Sequence, residues 1–388
     1  MNQFTAPPFP RVEDAPAAPR GKRRVLRWAA ALLASALAAL SGLLTLWLIG
    51  YETGLVPFLA GLVIAVLPVP VYLTLVLWLD RYESEPAWLL ATSFFWGALV
   101  AVFFAIIVNS LGVLVVQSAF GETAGDFYGM VISAPLVEET AKALALFGLF
   151  LWKREEFDGV LDGIVYAAMV GLGFAMTENV KYYAEAVSQQ NAVGVFVVRG
   201  LFSPFAHPLF TSMTGIGLGV AAHSRGRAAR LLLPPLGLAG AVFLHAAWNA
   251  SAFVTGATEN GLIMLASYFV VMVPAFVALL AVVLFALRRE GRILREQLRA
   301  DCDRGLFTHE EYLRLCSLRA RTGASFGALT GRGVAAWRAR RRLHRAASEL
   351  AFQRHRLARG VAARDGRDAE REAGYVRQIH EILRGSSQ

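Results

Sequence analysis

The sequence predicts an all-α, polytopic membrane helix bundle of about eight transmembrane helices, ending in a cytoplasmic helical tail. Three observations carry this expectation. Hydrophobic residues make up 56% of the 388 positions and charged residues 17%, and mean hydropathy is +0.49. Several apolar runs exceed the ~20 residues that cross a hydrocarbon core. The charge is also segregated. From Arg288 onward there are 23 Arg, no Lys and 12 acidic residues, so this stretch carries +11 of a net +9 and the rest of the chain is slightly acidic. The basic character therefore belongs to a tail and not to the membrane body.

In chain order, residues 1–27 read as a disordered, Pro- and Ala-rich leader that becomes basic at Lys22, Arg23, Arg24 and Arg27. The run 28–50 follows, and its length favours a retained signal-anchor over a cleaved signal peptide. Further spans are expected at 57–79, with Pro68 and Pro70 kinking it, and at 88–116, 131–151 and 159–182. The last three are 198–222, interrupted by Pro204 and Pro208, then 231–254 and 262–287. Residues 28–287 thus form the membrane domain and 288–388 the Arg-rich helical tail. Within the tail, Thr308–Glu311 has capping-box spacing, and 333–361 and 367–384 are periodic. Cys302 and Cys316 both lie in the tail, which implies no disulfide framework and excludes thiol catalysis within the membrane.

Loop charge orients the bundle. Arg81, Lys153, Arg154, Arg225, Arg227 and Arg230 fall on the side of the N-terminus, whereas loops 51–56, 117–130, 183–197 and 255–261 contain no Lys or Arg. The positive-inside rule places both termini in the cytoplasm of a multi-pass plasma-membrane protein. The tail could rest on anionic lipid or bind a cytoplasmic partner, although solvation alone explains its charge; nucleic acid is not an expected partner.

The stretch 131–151 could span a membrane, yet it carries Glu138, Glu139 and Lys142. Ionisable groups in hydrocarbon are costly and mark function by default. Spacings of three and four place these residues on one helix face. A single structural ion pair would leave the second Glu unexplained. Later spans add Glu178 with Asn179, His207, and His245 with Asn249. Singly, each has a structural explanation, such as snorkelling or an interhelical hydrogen bond. Counting 1.5 Å per residue from the outer helix ends, the Glu pair lies about 11 Å deep, Glu178 about 6 Å, and His207 and His245 about 13 Å each. Three carboxylates and two imidazoles at one level suit a divalent metal, and this ligand chemistry favours Zn²⁺ with an open water position. The reading assigns His207, His245 and Glu178 as ligands and Glu139 or Glu138 as general base. Lys142 keeps the Glu pair ionised, and Asn249 orients His245 or a developing oxyanion. No HExxH motif occurs. The Leu161-Asp162-Gly163 triplet and His309-Glu310-Glu311 are weak partial matches to other metalloprotease motifs.

Glu138-Glu139-Thr-Ala-Lys142 resembles the EExxK motif of the PrsW family of intramembrane metalloproteases. Phe174-Ala-Met-Thr-Glu178 resembles its FxxxE motif, and His245-Ala-Ala-Trp-Asn249 its HxxxN/D motif, with His207 as the additional intramembrane histidine. The resemblance covers 130–255. Lys142 and Glu178 separate it from the related CAAX-endopeptidase and bacteriocin-immunity proteases, which usually carry EExxxR and FxxxH. It implies cleavage of a membrane-anchored protein substrate within or beside the bilayer, with a membrane-bound anti-sigma factor as one candidate for a site-1-type cut. Two other classes compete. A proton- or ion-coupled carrier would use the same carboxylates and histidines as a relay, but repeats with matching broken helices are absent. A non-catalytic scaffold would recruit its partner through the tail.

Overall fold

In the computed structural model, residues 20–82, 85–153, 157, 159–224, 226–360 and 366–385 are described; of the leader expected over 1–27, residues 1–19 lie outside them and 20–27 belong to the first helix. Among these residues there are helices and no strands. The helices, numbered here in chain order, are α1 (Arg20–Thr53), α2 (Leu55–Leu79), α3 (Ala87–Phe120) and α4 (Ala134–Trp152). They continue with α5 (Val160–Ser188), α6 (Ala192–His223), α7 (Arg227–Thr258) and α8 (Gly261–Asp303). Three more lie in the tail: α9 (His309–Leu315), α10 (Leu318–Ala358) and α11 (Asp368–Gly385).

Seven of these helices are long and apolar enough to cross a membrane. The eighth expected span is α4, entered through Glu122–Phe127 and a π-helical turn at Tyr128–Ser133. It is helical throughout, and its three ionisable residues set it apart from the seven. The chain is thus a multi-pass membrane protein, and its exposed Leu, Val, Phe and Trp side chains on the spans present an apolar girdle to lipid. Pro68 breaks α2 at 67–68, because a ring in place of an N–H stops the ladder there. α6 is interrupted at 203–205, beside Pro204, and Pro208 falls in the first turn of the resumed helix, where its missing N–H costs nothing.

α5 is the axis of the bundle. Its most apolar stretch is 89% buried, against 17–33% in the other six candidate spans, and it packs on α2, α3 and α6. Small residues allow this. A Cβ on Gly163 would sit 2.1 Å from the Gly215 carbonyl oxygen, and a Cβ on Gly171 would sit 2.7 Å from the Pro208 nitrogen. Glycine at these positions lets α5 and α6 approach backbone to backbone. The second contact closes immediately beside His207.

The tail continues this architecture. α8 runs unbroken past residue 287, so the expected boundary at 288 lies inside a helix, where Arg and Leu sustain helical propensity. The Thr308 hydroxyl caps α9 by accepting from the Glu311 N–H at 3.1 Å, so His309-Glu310-Glu311 is a helix start. Tail residues Leu294, Leu298, Leu315, Leu343 and Leu350 share one apolar core with Tyr82, Leu89 and Leu146 of the membrane body. The tail is packed onto the bundle, beyond what an expectation of simple solvation requires.

Candidate active site

α4 turns one face of Glu138, Glu139 and Lys142 into the bundle, and all three are buried. The Lys142 ammonium donates to Glu139 Oε1 at 2.9 Å and lies 3.5 Å from Glu138 Oε2. It also donates to His207 Nδ1 at 2.9 Å and sits 3.7 Å from the centroid of the Phe174 ring. One cation therefore joins residues from α4, α5 and α6. The Phe174 ring borders His207 as well, with centroids 5.2 Å apart.

Glu139 is saturated. Besides Lys142, the His245 Nδ1–H donates to Oε1 at 3.1 Å and the Thr211 hydroxyl to Oε2 at 2.9 Å. A carboxylate can only accept from His245 Nδ1, so Nε2 of that ring is left as the lone-pair atom. His207 is fixed in the same way. Because Lys142 donates to Nδ1, Nε2 carries the proton that points to Glu178 Oε2 at 2.9 Å. Glu178 is also paired with the Arg199 guanidinium, which donates to Asn179 Oδ1 at 2.6 Å and stacks 3.8 Å from the Tyr182 ring centroid.

Glu138 differs from its neighbour. Its Oε2 is buried and accepts no hydrogen bond. Ligand atoms of Glu138, His207 and His245 lie within 4.8 Å of one another, and no other such group occurs among the described residues. These three residues, with Glu178, Arg199 and Asn249, line a cavity of about 560 Å³ whose far wall is the Asn109 side of α3. Asn249 donates its amide to the Met130 carbonyl at 2.9 Å, which ties α7 to the π-helical turn ahead of α4.

The candidate site residues Glu138, Glu139, Lys142, Glu178, His207, His245 and Asn249 thus lie together, whereas Asp162 and His309-Glu310-Glu311 lie elsewhere. Sequence reasoning missed Arg199 and Thr211. Thr211 follows His207 by four residues and shares its face, a readable signal. Arg199 lies two residues beyond the loop 183–197 and is the cation of the Glu178 pair.

A profile of the PrsW family of intramembrane metalloproteases matches residues 85–279, half of the chain. The chain belongs to the PrsW family. It is 32% identical over 142 residues to a protein named Protease PrsW from Geobacillus kaustophilus, which covers 37% of this chain and 58% of that protein. It is 32% identical over 152 residues to the Clostridioides difficile protein of the same name, covering 39% and 62%. For the Bacillus subtilis Protease PrsW it is 32% over 181 residues, covering 47% and 76%. The matches thus span about three fifths of the first two relatives and three quarters of the third. No solved structure matches the chain significantly. The PrsW profile ends at residue 279, ahead of the Arg-rich tail, and the Glu, Lys and His residues of the cluster all lie inside it.

Proposed function

We propose that this protein is an intramembrane endopeptidase that hydrolyses peptide bonds of membrane-anchored proteins, with a divalent metal, zinc by its donor set, held by Glu138, His207 and His245. The observation that carries this reading is the Glu138 oxygen, buried without a hydrogen bond beside two imidazole nitrogens. The Lys142 ammonium lies 3.5 Å away, and a buried carboxylate oxygen without a hydrogen bond is expensive unless a cation completes it more closely. Charge points the same way, since two buried carboxylates and the half-buried Glu178 have only Lys142 and Arg199 as cations beside them. Zinc bound there would bring the pKa of a water toward neutrality and polarise the scissile carbonyl.

The chain's own residues do the rest. Glu139 holds His245 by Nδ1, so that Nε2 faces the cavity. Lys142 compensates Glu139 and holds His207 by Nδ1; a metal held by His207 would take the place of the Nε2 proton now shared with Glu178. Glu178 faces the cavity beside His207 and is braced by Arg199; it takes the proton of the attacking water and returns it to the leaving amine. Asn249 positions α4 through Met130. This division differs from the sequence expectation of Glu178 as ligand and Glu139 or Glu138 as base. With three donors on its two oxygens, Glu139 has little room for a water proton.

The finer elements are part of the same proposal. Residues 28–287 form the protease body and 288–388 a tail, with both termini cytoplasmic, because the loops on the opposite side lack Lys and Arg. The site then lies in the outer half of the bilayer, and a membrane-bound anti-sigma factor suits a cut there. The test compares membrane protein fragments from cells making the wild type or Glu178→Gln, followed by purified protein and candidate substrate in liposomes. Fragments cut near a membrane boundary by the wild type alone are expected. Identical fragments in both would remove the proposed reaction.

A further inference from the structure

The Arg-rich tail holds a surface that the proteolytic reading does not use. α10 is one helix in name only. Gly333 stands at φ 81°, outside helical space, and the chain reverses there. Arg321 donates to the carbonyl of His344 and to Ser348 Oγ, and Ser325 Oγ meets His344 Nδ1 at 3.5 Å. The midpoints of these pairs fall between residues 332 and 335, so 318–332 and 334–358 form an antiparallel helical hairpin with Gly333 at its turn.

The hairpin has a defined height on the molecule. Arg81, two residues beyond the inner end of α2, donates to Thr322 Oγ1, and its carbonyl accepts from Arg321. On the returning leg, Arg341 and Arg345 are charge neighbours of Arg81 and Asp80. Further along that leg, Arg354 pairs with Asp301, which lies ~21 Å beyond Leu287 along α8 at 1.5 Å per residue. The leg therefore runs away from the spans as residue number rises. Followed the other way, from Arg341 to Val334, ~10 Å of helix leads from beside Arg81 to the membrane side of the tail. The turn is thus carried to the level of the lipid headgroups.

Its side chains match that position. Phe326, Leu329 and Val334 are exposed around the turn, with nothing packed over them among the described residues. Arg332, Arg338, Arg341 and Arg342 are exposed beside them, and the Arg341 guanidinium lies 5.0 Å from the Trp337 ring centroid. Residues 318–348 contain eight Arg and no Asp or Glu. Glu311 and Glu349 pair with Arg340 and Arg345, and Glu381 borders Arg332 and Arg342, which leaves the turn in arginine excess; apolar side chains flanked by Arg and Trp are the composition of an interfacial element on anionic lipid.

We propose that the turn of this hairpin is a membrane foot. Phe326, Leu329 and Val334 enter the boundary between headgroups and acyl chains, and Arg332, Arg338, Arg341 and Arg342 bind the phosphates of anionic lipids. A soluble acidic protein or an RNA would suit the charge alone; the exposed apolar turn at bilayer height favours lipid. The assignment does not depend on the proteolytic reading.

The test uses the full chain in nanodiscs of phosphatidylcholine, alone or mixed with phosphatidylglycerol. A fluorophore is attached at Thr330→Cys in a Cys302→Ser/Cys316→Ala background, and quenching by a nitroxide-bearing lipid is measured. The same label at Ala369→Cys, on the side of Arg354 and Asp301, is the distal control. Quenching at 330 is expected to exceed that at 369 several-fold in anionic discs. It should fall to the control level when the four arginines become Gln or Phe326 and Leu329 become Ser, while elution volume and the signal at 369 stay unchanged. Equal quenching at the two sites would overturn the proposal. So would shielding of the label by added RNA or acidic peptide but not by lipid, which would reassign the surface to that partner.

Discussion

At the residue scale, the three glutamates divide by their partners. Glu139 accepts from Lys142, His245 and Thr211, Glu178 pairs with Arg199 and His207, and Glu138 has a buried oxygen without a hydrogen bond, 3.5 Å from the Lys142 ammonium. Substitutions should therefore separate functions that a count of acidic residues would lump together. Glu178→Gln is expected to lower cleavage by roughly 10²- to 10⁴-fold, the usual worth of a general base, while leaving bound metal in place. Glu139→Gln should also abolish cleavage, but through His245, and with weakened metal retention of roughly 10- to 100-fold. Cleavage rate and metal content measured side by side check both; a Glu178→Gln protein that loses its metal would return Glu178 to the ligand set. Much of this cluster was legible in sequence, because Glu, Lys and His in apolar runs stand out against their surroundings. The partition among the glutamates was not. It depends on which donors reach which oxygen, and helix depth alone cannot resolve an ångström-scale choice between Glu138 and Glu178.

At the element scale, the site exists because α5 and α6 meet closely. The Gly171 position leaves no room for a Cβ beside the backbone of His207 and Pro208. Gly171→Val should overpack that contact, costing ~1–3 kcal/mol or more, and displace His207 from its partners. Helical content by circular dichroism is expected to persist while bound metal is lost; unchanged metal binding would show that the contact does not set the histidine. The spans were readable from apolar length, and the breaks at Pro68 and Pro204 from proline chemistry. The run of α8 beyond 287 was not, since the polarity change at Arg288 marks the end of the hydrocarbon and not of the helix. The periodic segment expected from 333 begins where the helix breaks at Gly333, but the reversal of direction there was hidden, because periodicity does not say how two helical legs meet.

At the scale of the whole molecule, tail and membrane body share a core, which composition could not show. An Arg-rich segment reads as solvated until Arg321 is seen buried, bridging Arg81, His344 and Ser348. Arg321→Ala should loosen the tail, read as faster limited proteolysis after α8 without loss of the bundle. The docked interface also titrates. Burial pushes Asp80 up to about 8, and burial followed by the nearby Arg321 drives His344 well below its ordinary range. Docking keeps Asp80 protonated, so its contribution falls as pH rises from ~4 to 8; docking keeps His344 neutral, so its contribution falls as pH drops below ~6.5. The two slopes oppose each other below ~6.5, and only the Asp80 slope remains above it. Tail release should therefore vary little from pH ~4.5 to 6.5 and increase toward pH 8. In His344→Gln, docking should instead strengthen steadily on acidification; a flat profile in that variant would remove Asp80 from the balance.

The measurement that bears most directly on the central claim is metal content of the purified, detergent-solubilised chain after incubation with zinc. Wild type is to be compared with Glu138→Gln, Glu178→Gln and a His207→Ala/His245→Ala double variant. Near-stoichiometric zinc is expected in the wild type and in Glu178→Gln, with strong loss in Glu138→Gln and in the double variant, all four eluting alike. Failure of the wild type to take up any divalent metal would contradict the site itself and leave a water activated by glutamate and histidine alone.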